Sequence, residues 1–253
     1  MINVSVLTDG ERGITPEGRS NALLTRYGRV LKPPPGVYNR VSEAMEPVTS
    51  HSEREWILVG MAERCAARGY EATSVDDVCE AAGVSRASFD DLFPDQAECL
   101  AATVEAAIAQ AQRAVGAAIS PQQSWPANLR DGAAALLGFF AARPTLAHVL
   151  LIEAQPAGGR AAVLAESARA ELLVLLERGH EHAAEEIPAS AARGALAGAE
   201  SLIARQLAAG DAANLAAITP DVVYMLAVPF LGVGEAQRLT VGANRRRHLR
   251  AVA

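Results

Sequence analysis

The stretch VDDVCEAAGVSRASF, residues 75–89, decides the fold. Val78, Ala82, Val84 and Phe89 are apolar at positions where two short helices would turn one face towards a third helix. Gly83 supplies the turn between them, where a side chain would clash. Ser74 precedes the first helix and Asp77 follows three residues later, a capping box with aspartate in place of the usual glutamate. Ser85 caps the second, which leaves Arg86 and Ser88 on its exposed face. Two short helices joined by a tight turn and held by a third form the arrangement that presents a helix to the major groove of DNA. An ordinary core hairpin is the bland alternative. The shortness of both helices and the Gly83-Val84-Ser85 connection argue against it.

Upstream, segment 53–68 carries Ile57, Met61 and Cys65 at i, i+4, i+8, and Gly69 stops it. Downstream, Pro94 breaks the chain, and Asp95 with Glu98 opens a helix through about residue 119. Longer helices are predicted at about 127–142, 144–154, 159–186, 189–209 and 219–232. Thr219-Pro220 is a strong start signal for the last, an N-cap followed by proline in the first turn. Nothing alternates with period two over a useful length, and alanine, the best helix former, is abundant. The expected fold is therefore all-α. It divides into a largely disordered arm (1–50), rich in Gly, Pro, Ser and Thr, a helix-turn-helix head (51–100), a helical body (101–235) and a basic tail (236–253).

The stretch RGYEATSVDDVCEAAGVSRASFDDLFPDQAECL, residues 68–100, resembles the head of the tetracycline-repressor (TetR) family. Gly69, Tyr70, Thr73, Ser74, Ala82, Gly83, Val84, Ser85, Phe93 and Leu100 fall where that family's pattern has them. Residues 197–231 resemble the closing helices of an actinobacterial branch. The resemblance implies an all-α homodimer whose subunits each carry a three-helix DNA-reading head and a C-terminal ligand-binding and dimerisation body. It implies phosphate contacts from Thr73, Ser74 and Ser85 and base-edge contacts from Arg86, Ala87 and Ser88. Where the family usually has tyrosine, histidine and lysine, this chain has Asp90, Leu92 and Gln96, and Asp90 and Gln96 are counted among the candidate DNA-binding positions. On that alignment, replacing Asp90 by tyrosine and Gln96 by lysine is expected to strengthen DNA binding.

Charge bears on the same point. Residues 51–100 hold four arginines (54, 64, 68 and 86) against eleven acids. Phosphate neutralisation dominates DNA affinity, so such a head is expected to bind weakly. Arg26, Arg29, Lys32 and Arg40 in the arm and Arg245, Arg246, Arg247 and Arg250 in the tail are candidate compensating contacts. The expected function is a ligand-responsive transcriptional regulator, a repressor acting as a homodimer on a palindromic operator of double-stranded DNA. The alternative is a degenerate relative that works through ligand or protein partners with little DNA binding.

Within the body, Phe139, Phe140, His148, Leu151, Leu172 and Leu176 are the candidate lining of a pocket for a small hydrophobic effector, although their spacing also suits plain packing. Ala195, Ala199, Leu202, Val222, Leu226 and Phe230 are the candidate dimer interface. His148 and Glu153 lie five apart, which is not the i, i+3 or i+4 spacing of a helix-face pair. No metal site or cofactor is expected, and no Gly-rich phosphate loop or nucleophile elbow points to an enzyme. Cys65, Cys79 and Cys99 are spaced like buried small hydrophobes of a reducing compartment. No apolar run reaches 18 residues and no signal pattern is present, so a soluble, cytoplasmic protein without membrane contact is expected.

Overall fold

The computed structural model describes residues 50–251, with side chains described from 53 to 240. Among these residues every regular element is helical. α1 (Ser50–Arg68), α2 (Val75–Ala82) and α3 (Arg86–Leu92) form the head. α4 (Gln96–Gly116) leads into the body. There α5 (Trp125–Ala142), α6 (Pro144–Ala157), α7 (Gly159–Glu177), α8 (Ala191–Ala208) and α9 (Thr219–Ala251) follow.

Local chemistry sets the head's boundaries. Ser74 Oγ accepts from the Asp77 backbone N–H at 3.2 Å, while Asp77 Oδ2 accepts from the Ser74 N–H at 2.9 Å. The aspartate therefore completes the reciprocal capping box despite its shorter reach. Gly83 sits at φ 69°, the left-handed conformation that favours glycine, and closes α2. Ser85 caps α3 by accepting from the Ser88 N–H, and Asp95 caps α4 by accepting from the Glu98 N–H. Ile57, Met61, Cys65, Val78 and Phe89 are each fully buried between the three helices. Gly60 lets α2 approach α1: a Cβ there would lie 2.9 Å from the Val78 carbonyl oxygen.

The body departs from expectation in three places. α7 ends at Glu177, and Arg178–His182 tightens into a 3₁₀ turn rather than extending the helix to 186. The cause is packing: a Cβ at Gly179 would meet the Phe230 ring at 2.6 Å, so the chain there lies directly on an aromatic. α9 does not stop near 232. It breaks at Gly232 (φ 70°) and resumes as helix to Ala251, through much of the segment expected to be a tail. Within α6, residues Val149–Glu153 form a π-helical turn, with the Ala154 N–H bonded to the Val149 carbonyl. Pro156 cannot donate a backbone hydrogen bond to the carbonyl of Ile152, which loosens the α ladder at that end.

Two cores result. One unites the head with the first half of α4 and with Val149, Ala154, Ala161 and Ala165. The other lies among α5, α7, α8 and α9. Leu146 and Leu150 of α6 pack against both. Arg160 ties α7 to α4 through Glu98 (3.3 Å) and Glu105 (2.9 Å). Residues 1–49 and the side chains of the arginines after 240 lie outside the described residues, and with them the proposed basic arms.

Candidate functional site

Two sites are built on this frame, a surface on the head and a cavity in the body. On the head, Ser85, Arg86 and Ala87 are exposed and Ser88 is half-buried, all at the start of α3. Their backbone is held by the Ser85 cap, whose Oγ also lies 3.0 Å from Ser88 Oγ. Phe89, in the next position, anchors the helix in the core and sets its rotation.

The structure gives three of the candidate DNA-binding residues internal hydrogen bonds. Thr73 is buried and donates its hydroxyl to the Gly69 carbonyl at 2.8 Å, so it stabilises the α1–α2 turn instead of facing outward. Gln96 is not a free phosphate partner. Its Nε2 donates to the carbonyls of Thr73 (2.6 Å) and Tyr70 (3.3 Å), clamping that turn to α4. A lysine there would place a charge on the same internal acceptors, so the substitution suggested by alignment would disturb the turn. Ser74 is exposed, yet both its polar groups serve the cap with Asp77.

Arg86 remains the strongest candidate base reader, and it is occupied. Its Nε donates to Asp90 Oδ1 at 2.9 Å and its Nη1 to Asp76 Oδ1 at 3.2 Å. Asp90 thus acts on the reading face as a partner of Arg86, a role its i, i+4 spacing on α3 makes legible, whereas Asp76 comes alongside only through the packing of α2. The bonds to Asp90 and then Asp76 hold the guanidinium pKa above its ordinary value. The other head arginines are also engaged internally. Arg64 donates to the Asp77 carbonyl and pairs with Glu80, Arg68 pairs with Asp77, and Arg54 lies over the Phe93 ring at 5.5 Å. Leu92, where a histidine was expected, packs against the head core.

The three cysteines are buried free thiols. Desolvation pushes the Cys65 thiol up to about 12 and raises Cys99 still further. Neither supplies a thiolate at neutral pH.

The body cavity has a volume of about 960 Å³. α4, α5, α6, α7, α8 and α9 all contribute to its wall, in which leucine and alanine are the commonest residues. Of the expected lining residues, Phe140, Leu151, Leu172 and Leu176 are in the wall. Phe139 and His148 are not. Phe139 is buried beneath the Arg143 guanidinium, 5.4 Å from its ring centre, and His148 is bonded to Glu153 on its own helix. Polar groups sit among the lining side chains. Arg169 of α7 donates through Nε to both carboxylate oxygens of Glu200 on α8, at 2.9 and 3.1 Å. Trp125 stacks on His182 at 5.5 Å, and both line the cavity, as does Arg178. Sequence reasoning missed these five residues because they come from α5, α7, α8 and the 3₁₀ turn Arg178–His182, far apart in the chain.

The dimer expectation changes most. Ala199, Val222, Leu226 and Phe230 are buried within one subunit, and the first three line the cavity. Phe230 stacks edge-on to Trp125 at 5.3 Å and to His180 at 5.4 Å. Helices α8 and α9 do approach closely, since a Cβ at Gly198 would meet Met225 at 2.7 Å. That contact is within one chain. Ala195 and Leu202 are half-buried against the same core.

His148 and Glu153 prove to be partners. The π turn brings the i, i+5 pair together, with His148 Nε2 at 2.9 Å from Glu153 Oε1. The other oxygen, Oε2, accepts from the backbone N–H of Tyr70 in the head at 2.8 Å. Spacing alone hid this pair, because an α-helix would have parted it.

Residues 57–103 match the family model described as bacterial regulatory proteins, tetR family. No curated protein matches the chain. Among solved structures, the fatty acid degradation regulator FadR from Bacillus halodurans is similar with a TM-score of 0.60 at 16% identity, over 71% of this chain and 98% of that one. FadR from Bacillus subtilis, solved with stearoyl-CoA, gives 0.59 at 17% identity, over 71% and 98%. A TetR-like transcriptional regulator from Rhodococcus sp. RHA1 gives 0.54 at 20% identity, over 69% and 95%. These likenesses concern the fold, which is that of the TetR regulators.

Proposed function

We propose that this chain, a member of the tetR family of bacterial regulatory proteins, is a ligand-responsive transcriptional repressor that binds a palindromic operator as a homodimer. One observation carries the reading: a capped, outward-facing α3 bearing Ser85, Arg86, Ala87 and Ser88 stands on the same chain as a large apolar cavity. A helix so held suits insertion into the major groove, and a twofold dimer would set two such helices about one DNA turn apart. The cavity, about 960 Å³, suits a small hydrophobic effector. The stearoyl-CoA of the Bacillus subtilis FadR complex is one example of a ligand with a long apolar part in this fold. Among the described residues no single helix is long and apolar enough to cross a membrane.

The engagement of all four head arginines favours a second reading, a relative with weakened DNA binding. Footprinting of the full chain on its own upstream DNA, repeated across a salt series, separates the two. Protection of a discrete palindrome at physiological salt supports the regulator, and no footprint at any concentration overturns it. Asp76→Asn combined with Asp90→Asn frees Arg86 and removes two anions, and should tighten operator binding by about tenfold. Arg86→Ala should weaken it by about 1–3 kcal/mol.

A further inference from the structure

The residues between cavity and head converge on one short segment. Leu150 and Leu151 line the cavity, and both belong to the π turn Val149–Glu153. Leu150 also packs against both hydrophobic cores. The turn ends at Glu153, whose carboxylate is shared between His148 on its own helix and the Tyr70 N–H of the head. Tyr70 lies in the α1–α2 turn, the same turn that Gln96 and Thr73 close. The backbone amide that Glu153 holds therefore sits at the point where α2, and with it the reading helix, is hung on α1.

We infer that Glu153 is a positioning residue that latches the head to the body, and that the π turn is the element through which cavity occupancy releases it. This rests on the reading of the cavity as the effector site. A π turn holds one residue more per turn than the α ladder, and such turns recur at functional sites. In an α-helix residues 148 and 153 would lie roughly 140° apart around the axis. Conversion of the turn to α geometry therefore parts Glu153 from His148 and withdraws its carboxylate from Tyr70. The α form would be the second discrete arrangement that a switch requires, and Pro156 weakens the ladder that would otherwise enforce it. A molecule pressing on Leu150 and Leu151 acts directly on that choice.

The test is amide hydrogen exchange on the full chain, read at Tyr70. It needs neither the operator nor the natural effector. Glu153→Ala should speed exchange of the Tyr70 N–H by about tenfold or more. Glu153→Gln, whose carboxamide oxygen can still accept, should restore most of the protection. Leu151→Trp and Leu172→Trp fill the cavity from α6 and from α7, and each should also expose Tyr70. Val174→Trp, on the outer face of α7, should not. The Val78 and Phe89 amides report whether each variant keeps a folded head.

If Tyr70 stays protected in Glu153→Ala, there is no latch. If it responds to Glu153→Ala but to neither cavity-filling variant, the latch is static and the coupling is overturned. If Val174→Trp exposes it equally, the effect is general loosening and the inference again fails. Coupled exchange in a protein that leaves no DNA footprint would sink the regulator reading while the latch stood.

Discussion

The head and the body use the same residue types to opposite ends. In the head, Ile57, Met61, Val78 and Phe89 reach full burial between helices brought together by Gly60. In the body, leucines from five helices surround a space large enough for a ligand. The difference teaches where each part can yield. A filled core transmits position faithfully, as a reading helix demands. A hollow one has low resistance to being filled, as a sensor demands. Polar chemistry divides similarly: the head spends its arginines on its own carboxylates, while the body sets the Arg169–Glu200 pair in the cavity wall.

The contrast is most easily broken at its largest element. Phe89→Ala should destabilise the head by about 3–5 kcal/mol in urea denaturation, whereas Leu172→Ala, which only enlarges an existing space, should cost under about 2 kcal/mol. Equal losses would mean the cavity collapses in solution. Adding volume should show the reverse asymmetry. Gly60→Ala drives a methyl against the α2 backbone and should cost about 1–3 kcal/mol, while Leu172→Phe should be neutral or stabilising in the same assay. Ser85→Ala removes the α3 cap and should cost about 1 kcal/mol, read as lost protection in the first turn of that helix.

The smallest effect concerns pH. The side-chain and backbone hydrogen bonds from Ser74, with Arg68 nearby, hold the Asp77 carboxyl below its ordinary value. A depressed carboxylate contributes stability that is present above its unfolded pKa, about 3.9, and is lost as pH falls through the folded value. The head should therefore loosen on the acid side of that range, and Asp77→Asn should flatten this limb of the stability curve. A curve unchanged by the substitution would show that the capping box does not depend on the charge.

Most of the head was legible in the sequence because its signals are local. Ser74, Gly83, Ser85 and Asp95 each act within four residues of themselves, and all four sit at the helix boundaries where they were expected. The reading surface was legible only in part. Arg86 and Ser88 could be placed on α3 by periodicity, but the contact of Arg86 with Asp76 and those of Gln96 with Thr73 and Tyr70 depend on which turns lie opposite. In the body, apolar spacing identified Phe140, Leu151, Leu172 and Leu176 as inward-facing. The same spacing could not tell a subunit's own core from a partner's, so Ala199, Val222, Leu226 and Phe230 were assigned to a dimer and are found inside one chain.

By itself the sequence determined the all-α fold, the three-helix head and its caps, since helix propensity, periodicity and capping are set by residues a turn or two apart. Only the tertiary structure decided that Gln96 clamps a turn, that Arg86 is shared between two aspartates and that Glu153 reaches from body to head. The last depends on a single π turn, which shifts the register by a fraction of a helical turn. Its energetic cost is decided by packing on both sides, and packing joins residues as far apart in the chain as Tyr70 and Glu153.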